Sequence, residues 1–290
     1  ERDVFVSAAK ELGAEVNVQN ANGDVQDQIS QIEYFIRKQV DVIVVVAGDC
    51  EALTDVMIKA REAGIKTVSY DRLIQNAGCD LYISFDNTEV GRLMARSLLE
   101  NIPDGGDIFL IQGPLTDHNV TLVREGIDET LAGSNLSVVY ESNCAGWIAE
   151  NAYTYTKEGL KQDRYVKGII CGNDDLASQA FRALSEERLA GKVYVTGQDG
   201  DLAACQRIVE GTQEMTAFKS VEQEASMAAK CAVLLGLGEE IEEARSTAYD
   251  GTYQVPYLEL QPIAVTGENM DEVIIKGGFH AKEDVYLNVN

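Results

Sequence analysis

Apolar residues along the chain come in two alternating rhythms. Short continuous runs such as DVIVVVA (41–47), DIFLIQG (107–113) and VKGIICGN (166–173) have the length of strands buried on both faces. Between them lie longer stretches with helical spacing. In DVQDQISQIEYFIRKQV (24–40) the residues Ile29, Ile32, Ile36 and Val40 share one face of a helix. The same exchange recurs as ALTDVMIKAREAG before IKTVSYD, and as GRLMARSLLENI before DIFLIQG. Further on, VREGIDETLAG precedes LSVVYES, AENAYTYTKEGL precedes VKGIICGN, LASQAFRALSEERLAG precedes KVYVTGQD, and LAACQRIVEG precedes QEMTAFK. At the start, ERDVFVSAAKELG predicts an amphipathic helix and AEVNVQ (14–19) a strand. VEQEASMAAKCAVLLGLG (221–238) predicts a long helix, and the tail predicts short strands and turns before IIKGGFH.

Strands alternating with helices of ten or more residues predict an α/β fold with doubly wound parallel sheets covered on both sides. A length of 290 residues predicts two such lobes. Their expected extents are residues 1–113 with 221–259, and residues 114–220 with 260–290. Only four prolines occur, so no proline-rich linker separates the halves.

Charge narrows the partners. Against 24 Lys and Arg stand 48 Asp and Glu, a net charge of -24. Such a surface repels nucleic-acid phosphates, so no nucleic-acid partner is expected. Six cysteines are scattered without a CxxC pair, which argues against zinc and for buried free thiols. No run approaches the ~20 apolar residues of a membrane span, and no signal peptide is visible at the start.

In open parallel sheets, ligands bind beyond the carboxyl ends of the strands. Those ends place Asp49 after VVVAG, Asp71 and Arg72 after TVSY, Asp117 to Asn119 after LIQGPLT, Trp147 after VVYESNCAG, Asn173 after GIICG, Asp199 after VTGQ and Lys219 after MTAF. Most of these groups form two hydrogen bonds at once, and the single tryptophan offers a broad face suited to the C–H side of a sugar ring. Plainer roles compete. Asp71 and Arg72 form a surface salt bridge in one reading, and Asn173 caps a helix in another, although Asp174 or Asp175 is the expected cap.

Catalytic patterns are missing: there is no HExxH, GxxxxGK[ST], GxSxG or GxGxxG, and DGD at 199–201 lacks the spacing of a calcium loop. His118 and His280 are each isolated. No enzyme activity, metal or cofactor is therefore expected. The triplets at Asn119 and Asn135 match the N-glycosylation pattern only weakly.

The segments NVQNANGDVQDQISQIEYFIRKQVDVIVV, VSYDRLI, YISFDNTEVGRLMA, GWIAENA, GNDDLASQAFRALS, GKVYVTGQDGDLAACQRIVEGTQEMTAFK and IIKGGFH together resemble bacterial periplasmic D-xylose-binding proteins, in the ribose and galactose branch of the type I sugar-binding family. The resemblance runs through nearly the whole chain. It implies two lobes joined by a hinge that the chain crosses three times, closing on one monosaccharide. By position it makes Arg72, Asn119, Trp147, Asn173, Asp199 and Lys219 sugar ligands, with Asp71 an orienting or direct partner and Arg124 a weaker one. Trp147 is expected to stack on the pyranose, Asp199 and Asn173 to accept hydroxyl protons, and Arg72 and Lys219 to donate. One departure stands out: family members begin with an apolar strand and a ligand-bearing loop, whereas this sequence starts inside the following helix. A first strand is thus expected to be missing from the first sheet.

By the same resemblance the expected role is an extracytoplasmic D-xylose receptor, in the periplasm or anchored at a cell surface, that delivers sugar to an ABC permease. Signalling to a membrane sensor kinase or chemoreceptor is the alternative. The effector domain of a sugar-responsive repressor is a further one, against which the acidic charge argues.

Overall fold

The structure is a computed structural model that describes residues 1–289. The chain begins with α1 (Arg2–Glu11), α2 (Val25–Lys38), β1 (Val42–Val45), α3 (Thr54–Glu62), β2 (Lys66–Tyr70) and β3 (Leu81–Phe85). It continues through α4 (Asn87–Asn101), β4 (Gly106–Gln112), α5 (His118–Leu131), β5 (Leu136–Asn143), α6 (Ala149–Gln162), β6 (Gly168–Cys171) and α7 (Asp174–Glu186). Then come β7 (Tyr194–Gln198), α8 (Leu202–Val209), β8 (Met215–Phe218), α9 (Val221–Leu237), β9 (Ser246–Tyr249), β10 (Gln254–Leu260), β11 (Ile263–Val265) and α10 (Lys282–Val285).

Two compact units result. The first comprises residues 1–86, 116–119 and 220–261, and the second residues 87–115, 120–219 and 262–290. Apart from the short piece at 116–119, the chain passes between them at 86–87, 219–220 and 261–262.

In the first unit the sheet order is β1-β2-β3-β10-β9, parallel except for the antiparallel β10–β9 pair. Alternate side chains of β1 go to opposite faces, as strand geometry requires. Ile43 and Val45 join the core with Leu53 and Met57 of the α3 side, while Val42 and Val44 pack with Ala228 and Cys231 of α9. Both faces are covered, which is why these strands read as unbroken apolar runs.

The predicted strand at 14–19 does not form. These residues join no ladder, and β1 is the edge of its sheet. Between them lies a cavity of about 1100 Å³, lined by residues 14–20, β1, Phe5 of α1, Ile32 and Phe35 of α2, and Gly236 of α9. A strand without a neighbour has no partners for its backbone N–H and C=O groups, so a strand-like sequence alone is insufficient.

The second sheet runs β11-β8-β7-β6-β4-β5, with only the β11–β8 pair antiparallel. One core face gathers Phe109, Ile111 and Cys171 with Leu176 and Leu184 of α7. The other gathers Ile108, Leu110 and Ile170 with Met94 of α4 and Ile127 of α5. Residues 87–113, expected in the first lobe, thus belong with the second sheet: β4 pairs with both β5 and β6. From β4 the chain goes outward to β5 and then returns to β6 on the other side, so the crossover direction reverses between β4 and β6. That reversal opens a crevice at the carboxyl ends of these two strands.

All six cysteines are free and buried. Burial pushes the thiols up, Cys50 to about 12 and Cys144 to about 11, which leaves them unreactive. Among the described residues no helix is long and apolar enough to cross a membrane.

Candidate functional site

In the first unit, Asp71 and Arg72 follow β2 directly. Asp71 is fixed by its amide, which donates to Ile83 O at 2.8 Å, and its φ of 59° is left-handed. Arg72 Nε lies 2.9 Å from Asp117 Oδ2, and Nη1 donates to Ala47 O at 3.0 Å. Asp71 Oδ2 stands further off, 3.7 Å from Arg72 Nε. The residue that orients the guanidinium is therefore Asp117, whose side chain is only 3% exposed, and not Asp71, which the sequence had made the adjacent partner.

Asn119 joins the same cluster. Its amide donates to Asp117 Oδ1 at 3.0 Å, and its Nδ2 donates to Asp71 O at 3.0 Å and to Asp71 Oδ1 at 3.3 Å. Asn119 Oδ1 is buried and has no hydrogen-bond partner among the described residues. A buried acceptor left without a donor costs about 1–3 kcal/mol, so a hydroxyl that donates to it would recover that energy. Asp71, Arg72 and Asn119 are thus brought together as predicted. Asp49 is not part of this group: its Oδ1 accepts from Glu51 N at 3.0 Å and Ala52 N at 2.9 Å, closing a local turn.

In the second unit, the crevice between β4 and β6 is floored by two glycines. A Cβ on Gly172 would lie 2.9 Å from Gly113 N, and one on Gly113 would lie 2.3 Å from Trp147 Cη2 and Cζ2. The indole therefore lies against the end of β4, where any side chain would displace it. A 3₁₀ turn at Ala145–Trp147 carries the ring there, with Gly146 at φ 61° and Trp147 itself at φ 56°. Asn143 Nδ2 donates to Gly113 O at 2.8 Å and holds the floor in place. The ring is half-buried, packed along one side of the core.

Asn173 is the N-cap of α7: its Oδ1 accepts from Leu176 N at 2.9 Å. The expectation that Asp174 or Asp175 caps this helix is wrong. Asp174 is wholly buried and turned toward residues 200–201, and Asp175 is exposed. Capping commits Asn173 Oδ1 and leaves the amide nitrogen as the group with which it would meet a ligand.

Asp199 follows β7. Its amide donates to Ala217 O at 3.0 Å, and its φ is 98°. Lys219, directly after β8 and with a side chain 14% exposed, puts Nζ 3.3 Å from Asp199 Oδ1. A carboxylate and an ammonium side by side offer a ring hydroxyl one acceptor and one donor. Gln198 Nε2 bonds to Gly172 O, tying β7 to the crevice floor. Arg124 is elsewhere employed, paired with Asp128 at 2.9 Å and with Glu141.

Three of the seven predicted residues, Asp71, Trp147 and Asp199, have left-handed backbones that disfavour side chains. Such conformations cost about 1–3 kcal/mol each and persist where surrounding bonds over-determine them, commonly at functional positions. Asp117, Gly113, Asn143 and Gln198 were absent from the predicted ligand set. Only Asp117 had a sequence signal, as a strand-end carboxylate near Asn119. The others act through backbone proximity, which sequence spacing does not encode.

Comparison with known proteins follows from this geometry. The model of the family described as periplasmic binding protein domain matches residues 2–240. The D-xylose-binding periplasmic protein of Haemophilus influenzae is 43% identical over 291 residues, covering 99% of this chain and 87% of that protein. Its namesake in Escherichia coli K12 is 40% identical over 98% of this chain and 87% of its own length. Among solved structures, an ABC transporter solute-binding protein of Clostridium phytofermentans with bound β-D-glucose superposes with a TM-score of 0.88. It is 25% identical and covers 98% of this chain and 94% of that one. A carbohydrate transporter solute-binding protein of Chloroflexus aurantiacus in complex with D-glucose also reaches 0.88, at 26% identity, covering 98% and 92%.

Proposed function

The chain belongs to the periplasmic binding protein family, and from that premise we propose that it is an extracytoplasmic receptor for a monosaccharide, D-xylose, which it binds, releases unaltered and hands to an ABC-type membrane permease. The observation that carries this reading is that each unit, taken by itself, holds preorganised groups suited to an uncharged ring at its strand ends. Arg72 is locked by Asp117 and Ala47, and the Trp147 indole lies on Gly113 at a sheet switch point. Near-full-length identity to two proteins named for D-xylose binding supports the choice of sugar.

In this reading the groups divide the work by their chemistry. The Trp147 face covers the apolar C–H side of the pyranose. Arg72 and Lys219 donate to ring hydroxyls, Asp199 and Asp71 accept from them, Asn119 Oδ1 accepts one more, and Asn173 donates through Nδ2. Sugar binding stabilises the liganded state by its differential affinity, and that difference is what a permease reads.

Titration calorimetry with D-xylose, D-ribose, L-arabinose, D-glucose and D-galactose tests the assignment. Saturable one-to-one binding, tightest for D-xylose, with the sugar recovered unchanged by NMR, is the expected result. Turnover of the sugar, or heat from none of the five, rejects it.

A further inference from the structure

Beneath Asp199 lies a carboxylate that touches no solvent. Asp174, the first residue of α7 and the neighbour of Asn173, is 0% exposed. Its Oδ2 accepts from Gly200 N at 2.9 Å, Asp201 N at 3.1 Å and Thr216 Oγ1 at 2.7 Å, while its Oδ1 accepts from Gln213 Nε2 at 3.0 Å. Two consecutive backbone N–H groups aimed at one oxygen form a nest, and such a nest binds an anion. Here the group it holds is a carboxyl oxygen of the protein itself.

We propose that Asp174 is a positioning residue for sugar binding: by gripping the amides of Gly200 and Asp201 it imposes the left-handed turn at Asp199–Gly200, and so aims Asp199 and its partner Lys219. This rests on the proposed function.

The turn needs an imposed cause. Asp199 at φ 98° is outside the region that side-chain-bearing residues adopt readily, and Gly200 follows at φ 77°. Left to itself the loop would relax to a right-handed or extended form and swing the Asp199 carboxylate away from Lys219. Other contacts tighten the same point: His280 Nε2 lies 2.8 Å from Gly200 O, and a Cβ at Gly200 would meet Phe218 at 2.7 Å. The isolated histidine thus has a structural use.

The neighbourhood is shaped to keep the carboxylate. A Cβ on Gly197 would come within 2.3 Å of Asp174 Oδ1, so β7 leaves out a side chain to admit it. Gln213 carries the charge onward: its Oε1 accepts from Nε of Arg207, a buried guanidinium on α8, at 3.0 Å. The relay Arg207–Gln213–Asp174 links the buried carboxyl group to a buried guanidinium without direct contact between the two. All four donors to Asp174 come from backbone or from uncharged side chains, so replacing the carboxylate by an amide leaves shape intact and opposes a second NH₂ group to them.

The test is Asp174→Asn, with Asp175→Asn at the exposed next position as a control of equal charge change. D-xylose affinity is measured by calorimetry and amide exchange is followed residue by residue. Asp174→Asn should lower affinity at least tenfold and speed exchange at Gly200 and Asp201 at least tenfold, with exchange in β4 and β6 unchanged; Asp175→Asn should match wild type. A merely structural role would instead accelerate exchange through the whole sheet. Should Asp174→Asn fail to fold, Thr216→Val removes one donor at equal volume, and an affinity loss of about threefold with faster exchange at 200–201 is expected. Wild-type affinity in the folded variant, or unaltered exchange at 200–201, overturns the proposal. Absence of any sugar binding by the wild type overturns the functional reading instead.

Discussion

Arg72 Nε stands 2.9 Å from Asp117 Oδ2 but 3.7 Å from Oδ2 of its sequence neighbour Asp71. The guanidinium is aimed by a buried carboxylate 45 positions away, which also receives the amide of Asn119. Asp117 thus holds two proposed ligands at once, and the fork is set before any sugar arrives.

Asp117→Ala is therefore expected to weaken D-xylose binding more than a truncation of an ordinary surface acid. Loss of the partner removes the carboxylate paired with Arg72 and leaves the Asn119 amide without its acceptor, at about 1–3 kcal/mol for the unsatisfied group. Calorimetry and thermal unfolding should both register it, as a 10- to 100-fold weaker affinity and a lower melting temperature.

Gly113→Ala tests the crevice floor. The added methyl would fall 2.3 Å from the indole, so the ring must move. Trp147→Ala removes the same face outright, with an expected loss on the order of 1–3 kcal/mol by analogy with buried aromatic anchors. The two variants should weaken sugar binding alike, while a Gly133→Ala control, at a turn with nothing within 4 Å, should leave binding alone.

Acid–base linkage gives a third expectation. Burial, the largest influence, pushes Asp174 up to about 8, offset in part by the Thr216 hydroxyl and reinforced by Asp199. Burial, with Asp199 next, also pushes Asp201 up to about 6. Facing them are Arg207, Cys171, Cys205 and His280. Both groups hold a proton in the folded chain at pH values where the unfolded chain has released it. The folded state then binds more protons, so stability falls as pH rises from about 4 towards 8. Melting temperatures across that range should decline, and Asp174→Asn should flatten the decline; a rise with pH would contradict it.

A fourth concerns the open edge of the first sheet. β1 pairs only with β2, whereas β3 is flanked by β2 and β10. Amide exchange should be faster over residues 42–46 than over 81–85, because an edge strand beside a cavity opens at lower free energy than a central one. Equal protection would mean that β1 has a partner in solution.

The sheets were legible because their strands are buried on both faces and so read as continuous apolar runs. Which sheet a strand joins was not: DIFLIQG is as apolar as its neighbours, and only pairing with β5 and β6 assigns it to the second unit. AEVNVQ has strand-like composition yet lacks partners, and pairing is non-local information. Strand ends marked Asp71, Arg72, Asn119, Trp147, Asn173, Asp199 and Lys219 as candidates, since the chain itself shows where apolar runs stop. The supports remained hidden. Asp174 reads like any helix-capping acid in GNDD, and nothing local tells that its carboxylate turns inward while Asn173 does the capping.

Trp147 is the only tryptophan in the chain, so its emission reports on the proposed site alone. Titration of the protein with D-xylose while recording that emission is the most direct test. A saturable change in intensity or wavelength, giving the same affinity as calorimetry and absent with a non-binding sugar, is predicted. Sugar binding detected by heat while the indole emission stays constant, or no binding at all, would contradict the account.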